Sequence, residues 1–185
     1  MLTNILLDNL PNITPKGFKI KTDFRQAIKF ELLMQDRNIN DEEKVVLALN
    51  LFYNEITDVN KQIEDMTWFY LKGKKVEELK TNKEGNNQQI YSFEYDADYI
   101  FSAFLETYNI DLNESEIHWW KFKAMFEGLS EKTKLVQIMG YRAIDLSKIK
   151  DKEEKKRYKN LKKIYQLPDM RTAEEKEADF GKAFW

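Results

Sequence analysis

The sequence predicts a mainly α-helical protein built as a multi-helix bundle, with a short β element near the N-terminus and a charged, flexible linker. The 185 residues include only six glycines and three prolines, too few for a turn-rich β fold. Apolar residues recur every three to four positions over most of the chain. Cysteine is absent, which excludes disulfides, thiol nucleophiles and thiolate metal sites, so packing must stabilise the fold.

Residues 1–21 are predicted to form an irregular N-terminal arm. Pro11 and Gly17 interrupt it, and the alternation from Phe18 to Lys21 is typical of a short strand or hairpin arm. The apolar run from Leu2 to Leu10 contains polar residues and ends at a proline. We therefore expect neither a signal peptide nor a membrane span there.

Residues 22–167 are predicted to form the helical domain. Thr22 is expected to cap a first helix, and Asn40 with Glu43 forms a capping-box-like start for a second. Asp58 is expected to open a third helix. The second helix is expected to bury one apolar face, which comprises Val45, Val46, Leu49 and Phe52.

A charged, polar stretch near residues 74–90 is predicted to be a flexible linker, because it offers almost nothing to bury. Beyond it, Asp96 is expected to cap a fourth helix, and Ser115 or Asn113 to open a fifth. The fifth helix carries Trp119 and Trp120, which we assign to the core because the apolar stripe around them is wide.

Two further helices are predicted before the chain reaches Pro168. The first is short, runs from Ser130 to Met139 and stops at Gly140. The second is highly charged and runs from Asp151 to Gln166, with a capping box at its start.

Residues 168–185 are predicted to form a C-terminal docking tail. Phe180, Phe184 and Trp185 would make an aromatic knob on a helix too short to be stable alone. The knob must therefore dock onto its own domain, onto a second copy, or onto another protein. We predict that these three aromatic residues bind a partner.

The segment from Lys148 to Lys163 is strongly basic, although the whole chain has a net charge of −2. It contains nine basic and three acidic residues, a local net charge of +6. Three interpretations stay open: a solvated helix stabilised by ion pairs, a face for an acidic protein partner, or a phosphate-binding face. Lys155, Lys156 and Arg157 are predicted as partner-binding residues on this segment.

No residue pattern points to catalysis, and we expect neither an enzyme nor a bound cofactor or metal ion. His118 is the only histidine, and no nucleophile elbow accompanies it. The glycines are isolated, so that no phosphate-binding loop is present. Asp96 and Asp98 lack the additional oxygen ligands and the glycine that a calcium loop requires.

Five runs of the sequence have a distinctive composition. They are FRQAIKFELLMQD (24–36), YSFEYDADYIFSAF (91–104), HWWKFKAMFEGLS (118–130), IMGYRAIDLSKIKDKEEKK (138–156) and EKEADFGKAFW (175–185). The paired tryptophans beside a histidine and the run of aromatic and acidic residues are uncommon enough to be specific. These five runs resemble the bacteriophage gene-product-fifteen family of tailed phages that infect Gram-positive hosts.

This resemblance implies a role in tail morphogenesis, because such proteins are usually regarded as tail assembly chaperones. The implied partners are phage tail proteins: the tape measure with its coiled-coil-forming helices, the tail tube, or a companion chaperone. A homo-oligomer is also open, whereas a membrane is not expected. The implied location is the host bacterial cytoplasm during assembly, or the virion tail. Two alternatives remain, a structural tail component and a nucleic-acid-binding helical protein.

Overall fold

The computed structural model describes residues 4–74 and 89–168. These residues form seven α-helices and one short 3-10 helix, Leu146–Lys148. In chain order the α-helices are α1 (Phe24–Gln35), α2 (Asp41–Phe52), α3 (Val59–Tyr70), α4 (Ala97–Tyr108), α5 (Trp119–Glu127), α6 (Lys134–Ala143) and α7 (Lys152–Ile164). The predicted mainly α-helical fold is confirmed. None of the described helices is long and apolar enough to cross a membrane.

The described part of the N-terminal arm is attached to α3. The β element predicted here is limited to one antiparallel bridge between Ile13 and Lys19, and the described residues contain no strand. The carboxylate of Asp65 is buried and accepts hydrogen bonds from the hydroxyl of Thr14 and from the backbone N–H of Lys16. A buried carboxylate with two donors fixes the position of the arm.

Three predicted helix starts are confirmed by capping side chains. The side chain of Asn40 accepts a hydrogen bond from the backbone N–H of Glu43 at 2.9 Å, at the start of α2. Asp58 and Asp151 bind the backbone N–H three residues later in the same way, at the starts of α3 and α7. These bonds join residues three apart, so local sequence is enough to predict them.

Two other predicted starts are wrong, and both lie at the junction between α1 and α5. Asp23, not Thr22, caps α1, because the Thr22 carbonyl accepts a hydrogen bond from the first backbone N–H of α5. Helix α5 is capped by His118, several residues after the predicted start at Ser115 or Asn113. The junction is set by this pairing of distant segments and not by local propensity.

The boundaries predicted for α6 are also wrong. The helix begins after Thr133 instead of at Ser130, since the Thr133 side chain provides the cap. It also continues through Gly140, where the sequence predicted a stop. Arg142 in its last turn is held by Asp96, which precedes α4. This long-range ion pair stabilises the turn that follows the glycine.

The core is built around α5. Trp119, Trp120 and Phe122 are at most 4% exposed, which confirms the prediction that the tryptophans belong to the core. The Phe122 ring stacks on Phe24 of α1 at 4.6 Å and on Phe104 of α4 at 4.9 Å between ring centroids. Both indole N–H groups donate to backbone carbonyls at the end of α3. Helix α5 is thus enclosed by three other helices.

Candidate interaction surfaces

Helix α2 leaves an apolar surface exposed. Val46 is 55% exposed and Leu47 is 44% exposed, although both are large apolar residues. The predicted buried face of this helix is therefore partly wrong: Leu49 and Phe52 are buried, but Val46 and its neighbour Val45 are not. We call the exposed surface formed by Val46 and Leu47, together with the preceding Ile39, the outer face of α2.

This surface stays open because α2 packs on one side only. Its main neighbours are α1 and α3, and seven of the eight residues from 45 to 52 are apolar. The helix is therefore apolar around most of its circumference, and helices packed on one side cannot cover it. An exposed apolar patch with a polar rim is typical of an interaction site.

Acidic residues flank the outer face of α2 at the start of the helix. Asp41, Glu42 and Glu43 form its first turn and are exposed. Glu42 and Glu43 also line, with the three apolar residues of the outer face, a shallow depression of about 580 Å³. Among the described residues no ion pair engages these carboxylates. The surface therefore combines an apolar centre with unneutralised negative charge.

A second apolar surface is a cleft of about 530 Å³ between α1 and α4. Its floor is aromatic and buried, and includes Phe24, Phe93 and Phe122. Ile28 and Phe101 also line it and are half-buried. The rings of this floor also contact one another within the core, where Phe122 stacks on Phe24.

The predicted partner-binding residues of the basic segment lie together on α7. Lys155, Lys156 and Arg157 are all exposed. Tyr158 and Leu161 are half-buried, so they mark the side of α7 that faces the rest of the protein. The ion pairs expected along the exposed face of α7 are not formed among the described residues. The helix therefore presents an open cationic surface.

The predicted aromatic contacts of the C-terminal tail, Phe180, Phe184 and Trp185, lie outside the described residues. Most of the predicted linker near 74–90 lies outside them as well. Of the six predicted partner-binding residues, the structure therefore places only the three on α7.

His118 acts as a helix cap. Its Nδ1 accepts the backbone N–H of Trp120 at 3.1 Å, so its Nε2 carries the proton and donates to the Pro11 carbonyl at 3.1 Å. Burial lowers the pKa of His118, although the hydrogen bond to Pro11 acts in the opposite direction. Within the described ranges, no group of three or more His, Asp or Glu side chains could hold a metal ion.

Asp96 precedes α4 but does not cap it with its side chain, contrary to the prediction. Its carboxylate forms a two-point ion pair with Arg142, at 2.6 and 2.9 Å, and both side chains are at most 5% exposed. The same guanidinium donates to the carbonyls of Ile90 and Tyr165. Arg142 thus holds the chain at two places: at Ile90, near the start of the second described range, and at Tyr165, at the end of α7. These contacts of the pair all serve the fold.

A half-buried polar cluster between α1, α3 and α5 was not predicted from the sequence. The Tyr70 hydroxyl donates to Glu31 at 2.5 Å, and burial raises the pKa of both groups. Burial lowers the pKa of Lys123, whose ammonium lies 5.4 to 5.7 Å from the centroids of three aromatic rings. These contacts satisfy the charged groups of the cluster and join three helices.

The sequence model of one family, described as "Bacteriophage Gp15 protein", matches residues 6–167 and so covers most of the chain. No curated protein and no solved structure matches the chain.

Proposed function

The chain belongs to the bacteriophage Gp15 family and is a phage protein, and from this premise we propose that it is a non-catalytic interaction protein of tail morphogenesis. In this role it binds helical segments of another tail protein, with the tape measure as the principal partner. It keeps those segments from aggregating until the tube assembles around them.

One observation carries this proposal: the outer face of α2 exposes large apolar side chains that the fold does not use. Val46 and Leu47 lie on a helix whose opposite side is fully packed. An apolar stripe on a partner helix would be shielded from water by such a surface, in the manner of a helix bound in a groove.

The size of this contact suits a chaperone, which must release its partner. Burying the exposed parts of Val46 and Leu47 would contribute about 1 kcal/mol each, since full burial of such a side chain contributes roughly 1.5 to 3 kcal/mol. A few contacts of this strength support reversible binding, because association and side-chain ordering oppose it.

Co-expression with a fragment of the tape measure tests the proposal. The wild-type protein is expected to raise the amount of the fragment that stays soluble and to copurify with it. The double variant Val46→Lys, Leu47→Lys should lose both effects. Leu105→Lys is the matched control, because Leu105 on α4 has the same 44% exposure as Leu47.

The outcome is decided by comparison of the two variants. Equal rescue by the double variant and by wild type would contradict a role for the outer face of α2. If wild type and both variants neither keep the fragment soluble nor copurify with it, the function itself is contradicted. Circular dichroism melting of each variant shows whether the fold is retained.

The C-terminal aromatic residues and the basic helix are proposed as secondary contacts. Truncation after Pro168 removes Phe180, Phe184 and Trp185 from the chain. If the tail binds a partner, truncation should weaken binding of the tape-measure fragment and leave the melting temperature unchanged. A lower melting temperature with unchanged binding would show that the tail docks on its own domain.

A further inference from the structure

The charge around the outer face of α2 restricts which helix can bind there. The carboxylates of Asp41, Glu42 and Glu43 follow one another on the first turn, where they also favour the helix by opposing its positive N-terminal end. Glu43 precedes Leu47 by four residues, so the two side chains are neighbours one turn apart on the same side of the helix. Any ligand of the apolar centre therefore lies within reach of the carboxylates.

The nearest lysine of the helix does not neutralise this charge. Lys44 is half-buried, and its ammonium donates to the carbonyl of Met34 at the end of α1, at 3.2 Å. Its charge is thus directed to the C-terminal end of a neighbouring helix, where a cation is favourable. The side of α2 that carries Val46 and Leu47 keeps its negative rim.

We propose that the outer face of α2 receives an amphipathic helix whose apolar stripe is flanked, one turn away, by lysine or arginine residues. This rests on the proposed function and names the chemical class of its partner segment. Apolar side chains of the partner fill the depression lined by Ile39, Val46 and Leu47. Its basic side chains pair with Glu42 and Glu43. Helices with acidic flanks are rejected, since like charges would meet at the rim.

Two designed peptides of about 20 residues, long enough to form a helix, test this preference. Both carry the same leucine stripe, and they differ only in lysine or glutamate flanks. Binding of each labelled peptide to the full chain is measured by fluorescence anisotropy. The basic peptide is expected to bind about tenfold more tightly, the size expected of two exposed ion pairs. The difference should shrink at 0.5 M salt, at which exposed charges about one turn apart are well screened.

Charge reversal provides the decisive variant. The double change Glu42→Lys, Glu43→Lys should invert the preference, so that the acidic peptide binds more tightly. Glu42→Gln, Glu43→Gln should abolish the preference while destabilising the start of the helix less than the two lysines do. Equal binding of both peptides to wild type, or a preference unchanged in both double variants, would overturn the proposal.

The variant Val46→Lys, Leu47→Lys separates this inference from the proposed function. If wild type rescues the tape-measure fragment but shows no charge preference between the peptides, only the inference fails. If that variant rescues the fragment as well as wild type does, the outer face of α2 is not the contact, so the inference fails although the chaperone function stands. If wild type does not rescue the fragment, the proposed function fails. Sedimentation velocity of the free protein tests whether a second copy of the chain occupies this surface instead. A dimer that forms in wild type and is lost in this variant would assign the surface to that second copy and overturn the proposal.

Discussion

Helices α2 and α5 have similarly apolar sequences but different surroundings. On α5, Trp119, Trp120 and Phe122 are buried, since α1, α3 and α4 enclose the helix. On α2, Leu49 is buried but Leu47 is not, because α1 and α3 cover one side only. An apolar run shows that a helix needs to be covered. Whether the helix is covered within its own domain depends on the number of neighbouring helices.

The largest effect is expected at the centre of α5. Phe122→Ala removes a ring that is 0% exposed and stacked on four others. We expect a loss of about 3 to 5 kcal/mol in the free energy of unfolding, because the cavity cannot be filled by its neighbours. Urea denaturation measures this loss. A value below about 1 kcal/mol would mean that α5 is not the core helix.

Two leucines of α2, one buried and one exposed, allow the same comparison within a single helix. Leu49→Ala should cost about 2 to 5 kcal/mol, since Leu49 is 1% exposed. Leu47→Ala should cost less than about 1 kcal/mol, since that side chain is largely outside the packing. The same urea titrations give both values. Similar losses for the two variants would contradict the one-sided packing of α2.

A smaller, pH-dependent effect is expected at the start of α5. Burial lowers the pKa of His118 below the 6.5 of the unfolded chain. The unfolded state therefore binds more protons, and the free energy of unfolding should decrease as pH falls below about 6.5. Protonation also removes the acceptor that caps the helix. The expected loss is about 1 kcal/mol, the usual contribution of a cap.

His118→Asn is the control for this effect, because asparagine caps helices but does not titrate. Thermal melts of both proteins between pH 7 and pH 5 should show a steeper decline for the wild-type protein. Parallel curves would show that His118 keeps the same pKa in the folded and unfolded states.

Local features of the fold could be predicted from sequence, and long-range ones could not. Asn40, Asp58 and Asp151 were identified as caps because each bonds to an N–H only three residues away. The start of α5 depends on the pairing of residue 22 with residue 119. The end of α6 depends on an ion pair between residues 96 and 142. Sequence periodicity contains no information about such partners.

The candidate site shows the same division. The sequence was enough to place Lys155, Lys156 and Arg157 on an exposed helical face, because a run of charged side chains is stable only where water solvates it. It assigned Val46 to the core, since an apolar residue at helical spacing is usually buried. The warning sign was the nearly continuous apolar run from residue 45 to residue 52, which exceeds what a single buried face requires. Only the arrangement of α1 and α3 reveals which side stays open.

Site-specific photo-cross-linking tests the central claim most directly, namely that the outer face of α2 binds a helical partner. A photoreactive amino acid replaces Leu47 in one protein and the equally exposed Leu105 in another, and each is co-expressed with the tape-measure fragment. We expect a cross-linked product with the fragment from position 47 and none from position 105. A product from position 105 alone, or equal products from both positions, would contradict it.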